Sequence, residues 1–152
     1  MPTTIAIRNA RSADLEPLAD LLKMLFSIEA DFSVERSKQL DGLRMMLGNP
    51  RASILVADHD GEVVGMCTGQ IVISTAEGGP SILVEDVVVR KDFQGQGIGL
   101  MLMKGIYDFA KKNRATRLQL LADCDNSTAL EFYDKIGWER TSLICLRKKH
   151  SV

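Results

Sequence analysis

The chain has 152 residues, a net charge of −1 with neutral histidines, and hydrophobic residues at 45% of its positions. This length predicts one domain, residues 1–152, with a core that needs no disulfide or metal for stability. The near-neutral charge argues against a nucleic-acid partner, and a membrane partner is not expected because no apolar run approaches the roughly 20 residues that cross a bilayer.

The cysteines and histidines predict neither a disulfide framework nor a metal site. Cys67, Cys124 and Cys145 are odd in number and lack Cys-x-x-Cys spacing, and the two histidines are His59 and His150. Cys67 and Cys145 lie among apolar residues, as small core residues usually do. Since the N-terminus also lacks the apolar stretch of a signal peptide, we expect a reduced, cytoplasmic protein.

The N-terminal part predicts a short strand followed by two helices. Residues 5–8 alternate between apolar and polar, and leucines then recur at helical spacing at positions 15, 18, 22 and 25. Asp14 is the expected N-cap of this first helix. Residues 33–47 predict a second helix, which ends at Gly48-Asn49-Pro50.

Three strands are predicted next. Apolar residues 54–57 and 63–67 flank a segment ending in Asp60-Gly61, which is a strong hairpin signal, and the second strand continues through residues 71–73. Residues 81–89 form the third and most apolar run, and the only charged residues in it are Glu85 and Asp86.

A glycine-rich loop, residues 94–99, separates this strand from a helix predicted over residues 100–112. Gly95, Gly97 and Gly99 permit positive φ and close approach of a ligand, while the first helical turn offers unpaired N–H groups and a positive dipole end. These features predict a phosphate or pyrophosphate site. Leu100-Met101 replaces the Lys-Ser or Lys-Thr of a Walker loop, and Leu100 also replaces the third glycine of a dinucleotide loop. Two alternatives remain: a dinucleotide loop in which Asp123 imitates the ribose acid, and a tight connection without any ligand.

The last third of the chain predicts a strand at residues 118–122, a helix at residues 127–136 with Gly137 as its C-cap, and one or two strands within residues 138–147. A strand on each side of the glycine-opened helix makes a βαβ unit. The fold class is therefore α/β with a mixed sheet.

Two segments resemble the GNAT superfamily of acetyl-CoA-dependent N-acetyltransferases. Gln94, Gly97 and Gly99 match its acyl-CoA loop, which has Gln or Arg, two residues, Gly, one residue, then Gly or Ala. Residues 126–138 resemble its second cofactor segment, with Asn126 at the start and Phe-Tyr before the final Gly-Trp. The element order resembles the whole fold, which implies a mostly antiparallel, twisted sheet with flanking helices around the βαβ unit.

The resemblance implies roles for individual residues. Loop amides from Gln96 to Leu100 would hold the CoA pyrophosphate, Asn126 would bond the pantetheine arm, and Tyr133 would protonate the leaving thiolate. Alternatively, Asn126 is only a helix N-cap and Tyr133 a half-buried aromatic residue. The segments implied to bind the cofactor through their main chain are Val87, Val88 and Val89, and Gln94, Gly95, Gln96, Gly97, Ile98, Gly99 and Leu100.

Attack by an amine requires removal of a proton. An alkyl amine of pKa near 10.4 is neutral in about one molecule in 2,500 at pH 7, a cost of about 4–5 kcal/mol. By resemblance the base is a carboxylate just before the valine run, so Glu85 is the first choice and Asp86 the alternate. Strand alternation predicts that the two side chains lie on opposite faces. Alternatively, either carboxylate only pairs with a basic group. Arg90 and Lys91 are candidate partners of the nucleotide phosphates.

The function implied is acetyl transfer from acetyl-CoA to a primary amine by direct attack in a ternary complex, because no Cys, Ser or Lys nucleophile stands beside a base. The acceptor would be a small cationic amine or a peptide or protein amine, and Glu29, Asp31 and Phe32 hint at its site. A homodimer is left open. The alternative function is a CoA-binding sensor or interaction module that performs no transfer.

Overall fold

The computed structural model describes residues 4–29 and 34–151. It divides into two compact units, Met1–Leu120 and Leu121–Val152, each of which is described by itself. Among the described residues, no helix combines the length and the apolar character needed to span a bilayer.

In its described residues, the first unit has a five-stranded sheet, three α-helices and two short 3-10 helices. Its strand order β1-β2-β3-β4-β5 follows the chain, and every neighbouring pair is antiparallel except β4 and β5, which are parallel. This arrangement confirms the predicted mixed, mostly antiparallel sheet with a βαβ unit made of β4, α3 and β5. The elements are β1 (Ile5–Asn9), α1 (Leu15–Ile28), α2 (Arg36–Leu47), β2 (Ala52–His59), β3 (Glu62–Ser74), β4 (Gly79–Val89), α3 (Ile98–Lys112) and β5 (Arg117–Leu120).

The leucine stripe of α1 packs on the sheet, as its spacing predicts. Leu18 and Leu22 are buried and join a cluster with Leu43 of α2 and Met66 of β3. Asp14 does precede the helix, but its side chain makes no cap hydrogen bond to the first turn. Its carboxylate instead accepts hydrogen bonds from the guanidinium of Arg8, at 2.7 and 2.9 Å, and from the Arg11 amide.

Helix α3 packs closely against the sheet through Gly105. Leu102 and Ile106 of this helix are fully buried. A Cβ at Gly105 would lie 2.6 Å from Leu55 Cδ1 and 3.2 Å from Ile7 Cγ2. The absence of a side chain at this position is therefore what allows the helix to approach β1 and β2.

The predicted hairpin is confirmed. Asp60 and Gly61 connect β2 and β3 with φ of 50° and 92°, both in the left-handed region that Asp and Gly tolerate best. The helix predicted from residue 100 begins two residues earlier, at Ile98, and the helix predicted from residue 33 is described from Arg36.

The second unit contains α4 (Ser127–Lys135), with Gly137 just beyond it at φ 93°. The described residues 138–151 contain no strand, so the strand predicted within 138–147 is wrong. Apolar composition suggested it, but a strand also needs a hydrogen-bonded partner, and Leu143, Ile144 and Leu146 are 78–86% exposed. Cys145 is exposed as well, which corrects its prediction as a core residue, whereas Cys67 is fully buried.

Candidate active site

The glycine loop adopts backbone conformations that favour glycine. Gly95 has φ 79° and Gly97 has φ 81°. A Cβ at either position would meet nothing within 4 Å, so glycine serves the backbone angles here and not the packing. Gly97 is the N-cap of α3, and the first helical bond runs from the Met101 amide to its carbonyl at 3.1 Å.

The amides at the start of α3 are therefore available to a ligand. Those of Ile98, Gly99 and Leu100 lie in the first turn, where a helix offers no carbonyl acceptors. Residues 94–97 are exposed, so solvent reaches the loop. A helix N-terminus of this kind attracts phosphate through its N–H groups and its dipole.

Side-chain hydrogen bonds connect the residues after β4 to the sheet. The Gln94 side-chain nitrogen Nε2 donates to the Val89 carbonyl at 2.9 Å and ties the loop to the strand. The Arg90 guanidinium is bonded to Glu62 and Asp92, which raise its pKa. Because Arg90 already has these partners, Lys91, which is exposed, is the better candidate for a phosphate contact.

The second half of β4 has one open edge in the part of the chain that the structure describes. β5 pairs with β4 only from Ser81 to Val84. Beyond Val84, β3 is the only described strand that pairs with β4, with Val88 opposite Met66 and Val89 opposite Gly65. Within the predicted segment Val87, Val88 and Val89, the main chain of Val88 and Val89 is thus paired with β3 on one side, Val87 has no partner in that register, and none of the three pairs with β5.

A β-bulge at Asp86 and Val87 overlaps the start of this segment. Thr68 pairs with Glu85 and Met66 pairs with Val88, so Asp86 and Val87 together oppose a single residue of β3. Asp86 has φ 54°, a left-handed conformation that Asp tolerates better than most residues. The bulge interrupts the alternation from which we predicted opposite faces for Glu85 and Asp86.

The two adjacent acids differ in their surroundings. Glu85 is exposed, whereas Asp86 is partly buried and its Oδ2 lies 3.2 Å from the Thr68 hydroxyl oxygen. Burial, together with the nearby charges of Glu85 and Glu29, raises the pKa of Asp86 to about 6 against the lowering effect of the Thr68 hydrogen bond. A carboxyl with these properties changes protonation state close to neutral pH.

The second unit places Asn126 and Tyr133 at the two ends of α4. Asn126 is the N-cap, with its side-chain oxygen accepting from the Ala129 amide at 3.1 Å. The side-chain nitrogen Nδ2 of Asn126 takes no part in this cap. Tyr133 is partly buried, and its ring lies 5.2 Å from that of Phe132 and 5.9 Å from that of Trp138. These two contacts limit the orientations that the Tyr133 ring can take.

The structure adds Thr68 to the predicted site. A threonine in an apolar strand is an ordinary β-former, so nothing in the sequence singles it out. Of the residues expected near the acceptor, Asp31 and Phe32 lie outside the described residues, while Glu29 acts electrostatically on Asp86.

Comparison with known proteins defines the family. Residues 16–138 match the model of the acetyltransferase (GNAT) family. The chain belongs to this family and is an acetyl-CoA-dependent acyltransferase.

Individual relatives are similar over most of their length. A Bacillus subtilis (strain 168) protein named "Putative ribosomal protein bS18-alanine N-acetyltransferase" is 27% identical over 139 residues, which cover 91% of this chain and 83% of that protein. A second protein from the same strain, the uncharacterized N-acetyltransferase YhfO, is 26% identical over 88% of this chain and 89% of its own. The fold matches that of the aminoglycoside N-acetyltransferase AAC(6')-Iy solved in complex with CoA, with a TM-score of 0.85, 17% identity, and coverage of 99% and 98% of the two chains.

Proposed function

We propose that this protein transfers an acetyl group from acetyl-CoA to a primary amine by direct attack in a ternary complex. The observation that carries the proposal is the glycine loop, whose left-handed Gly95 and Gly97 present the first amides of α3 next to the open edge of β4. Acetyl-CoA supplies the acetyl group as a thioester. The chain's own residues bind the cofactor, orient it and move protons.

The cofactor is bound mainly by main-chain groups in this proposal. Amides from Gln96 to Leu100 hold the pyrophosphate, because N–H groups at a helix start combine hydrogen bonding with a favourable dipole. The open edge of Val87 to Val89 bonds the pantetheine arm and polarises the thioester carbonyl. Asn126 also bonds the pantetheine, through its side-chain nitrogen Nδ2, which takes no part in the N-cap bond.

Asp86 is the base in this proposal. Its pKa of about 6 leaves it ionised at pH 7 but keeps its basicity closer to that of the amine than an ordinary aspartate has. The bulge and the Thr68 hydrogen bond hold its carboxylate in place. Glu85, which the sequence favours as the base, is exposed, and we assign it to attraction of the acceptor's charge.

Tyr133 is the acid that protonates the departing thiolate. Packing against Phe132 and Trp138 limits the orientations of its ring, which is what a positioned proton donor requires. In a direct transfer the ammonium group loses one proton to Asp86, and the neutral amine attacks the thioester carbonyl. The C–S bond then breaks, the thiolate takes a proton from Tyr133, and the nitrogen releases its second proton to solvent as the amide forms. Both groups are restored by exchange with solvent after product release.

The acceptor is a cationic amine. Glu29, Glu85 and Asp86 lie close enough for the first two to raise the pKa of the third, so their summed negative charge attracts an ammonium group. The named relatives point to two kinds of amine, an aminoglycoside and an alanine of a ribosomal protein.

The test is thiol release from acetyl-CoA with a panel of amines. The panel contains aminoglycosides, alanine-started peptides, lysine peptides and linear diamines, and uncharged amines serve as controls. We expect release with at least one cationic class and mass spectrometry to show one added acetyl group. Binding of CoA by calorimetry without release across the panel would instead support the sensor function.

A further inference from the structure

A buried hydroxyl on β3 contacts the bulge that holds Asp86. Thr68 is fully buried, and its Oγ1 lies 3.1 Å from the Glu85 carbonyl oxygen and 3.2 Å from Asp86 Oδ2. Both residues that it reaches belong to the irregular part of β4. We propose that Thr68 is a positioning residue, which holds the Asp86 carboxyl in both of its protonation states. Because its hydrogen bond to the ionised carboxylate is the stronger one, Thr68 extends toward acid the pH range in which Asp86 accepts a proton. This inference rests on the proposed role of Asp86 as the base.

The hydroxyl has the right chemistry for two states. A threonine hydroxyl has one proton to donate and two lone pairs that accept. When Asp86 is ionised, Thr68 donates that proton to Oδ2. When Asp86 carries a proton, Thr68 donates to the Glu85 carbonyl and accepts the proton of Asp86. Rotation about the Cβ–Oγ1 bond therefore lets Thr68 keep a hydrogen bond to the Asp86 carboxyl in both states.

Such a contact matters more here than in a regular strand. Asp86 has a left-handed backbone, which is strained for a residue with a Cβ and needs support from its surroundings. A carboxylate that is partly buried also loses solvation, which a hydrogen bond from Thr68 replaces in part. Valine at this position would fill the same space without any donor.

The Thr68 hydrogen bond lowers the pKa of Asp86, whereas burial and the neighbouring acidic groups raise it. Glu85 on the same strand and Glu29 after α1 raise its pKa, and the thiol of Cys67, next to Thr68 on β3, has its own pKa raised to about 12 by burial and by Asp86. The thiol therefore stays neutral through the range in which Asp86 titrates. Without the Thr68 hydroxyl, burial and the two glutamates raise the pKa of Asp86 with no hydrogen bond from Thr68 to lower it.

The experiment compares Thr68→Val and Thr68→Ser with wild type. Thr68→Val should move the acidic limb of the kcat/KM profile up by about one pH unit, since loss of a hydrogen bond to a carboxylate favours its protonated form. Carbon-13 NMR of labelled aspartate, with Asp86→Asn to assign the resonance, should show the same upward shift in Asp86 itself. Thr68→Ser keeps the hydroxyl and should restore both readouts, and circular dichroism checks that each variant is folded.

The outcomes separate the two proposals. If Thr68→Val leaves both the Asp86 titration and the acidic limb in place while Asp86→Asn abolishes turnover, the role of Thr68 is refuted and the base survives. Equal shifts in the serine and valine variants would also refute it, because packing alone would then be responsible. In a third outcome, Asp86→Asn remains active while the titration of the Asp86 carboxyl still shifts in Thr68→Val. That result would refute Asp86 as the base and leave its contact with Thr68 intact.

Discussion

Adjacent acids on one strand have different chemistry because of a single bulge. Glu85 remains exposed, while Asp86 takes a left-handed backbone and becomes partly buried beside Thr68. In a regular strand the two side chains would differ only in the face that they occupy. Here they also differ in solvation, so we assign proton transfer to Asp86 and attraction of the cationic acceptor to Glu85.

Asp86→Asn should lower kcat about 10²-fold or more near neutral pH, the usual scale for losing a general base. Asparagine tolerates the left-handed conformation, so the fold should be kept. Activity should recover as the pH rises toward the pKa of the amine, because an amine that is already neutral needs no base. The measurement is kcat and KM from pH 6.5 to 9.5.

Glu85→Gln is the matched control. We expect it to raise KM for the amine and leave kcat nearly unchanged, since binding of the ammonium charge is lost equally in the ground and transition states. The reverse pattern, with kcat lost in Glu85→Gln and kept in Asp86→Asn, would return the role of base to Glu85.

Tyr133→Phe tests the proposed acid. Because only the hydroxyl is removed, the ring should still pack against Phe132 and Trp138, and affinity for CoA should change little. We expect kcat to fall about 10²-fold. Steady-state kinetics and calorimetry with CoA measure the two quantities, and unchanged turnover would make Tyr133 a packing residue only.

At the scale of elements, the glycine loop allows a test of its charge alone. Gly97→Asn and Gly97→Asp have nearly the same shape, and both residues tolerate a positive φ better than others do. Only Asp adds a negative charge beside the proposed pyrophosphate. We expect CoA to stabilise wild type and Gly97→Asn in thermal denaturation and to have little effect on Gly97→Asp. Equal stabilisation of the two variants by CoA would contradict the proposal that the pyrophosphate binds at this loop.

Glycines in two helices should respond oppositely to alanine. Gly105→Ala places a methyl group against Leu55, which is itself buried, and should lower the free energy of unfolding by about 1 kcal/mol after the gain in helix propensity. Gly42 in α2 has nothing within 4 Å of a new Cβ, so Gly42→Ala should raise stability by about 0.5–1 kcal/mol. Urea denaturation measures both, and stabilisation by Gly105→Ala would contradict the close packing of α3.

Elements with local signals were predictable and the irregular ones were not. Periodic leucines fixed α1, and Asp60-Gly61 fixed the hairpin, because neighbouring residues determine both. The bulge at Asp86 depends on how β4 pairs with β3, which no short pattern encodes. The one feature of the sequence that marks the position of the bulge is the pair of adjacent acids inside an apolar strand. The strand wrongly predicted within residues 138–147 failed for the related reason that pairing, and not composition, makes a strand.

At the scale of the molecule, one ion network joins β1, β2 and the start of α1. Arg8 bonds Asp14 and Asp58, and it holds the pKa of each carboxyl below its usual value. Asp14 is buried, so removal of Arg8 leaves it without its charged partner. Arg8→Met should therefore cost about 3 kcal/mol of unfolding free energy at pH 7.

This cost should depend on pH. The lowered pKa values stabilise the fold at pH values above those of the unfolded carboxyls, near 4, and the contribution is lost as the pH falls through the folded values. Wild type and Arg8→Met should thus converge in acid. Arg36→Met, which breaks exposed pairs with Glu16 and Asp20, should change stability little at any pH. Denaturation curves at pH 7 and pH 3 test this, and equal losses in the two variants would contradict it.

The order of strands in the first unit has a consequence for how quickly its parts form. β2, β3 and β4 are joined by short turns, at residues 60–61 and 75–78, whereas pairing of β1 with β2 must enclose residues 10–51 and pairing of β4 with β5 must enclose residues 90–116. Loop-closure entropy opposes the longer connections more strongly. The central three strands should therefore acquire hydrogen-exchange protection first during refolding, and the edge strands β1 and β5 should follow.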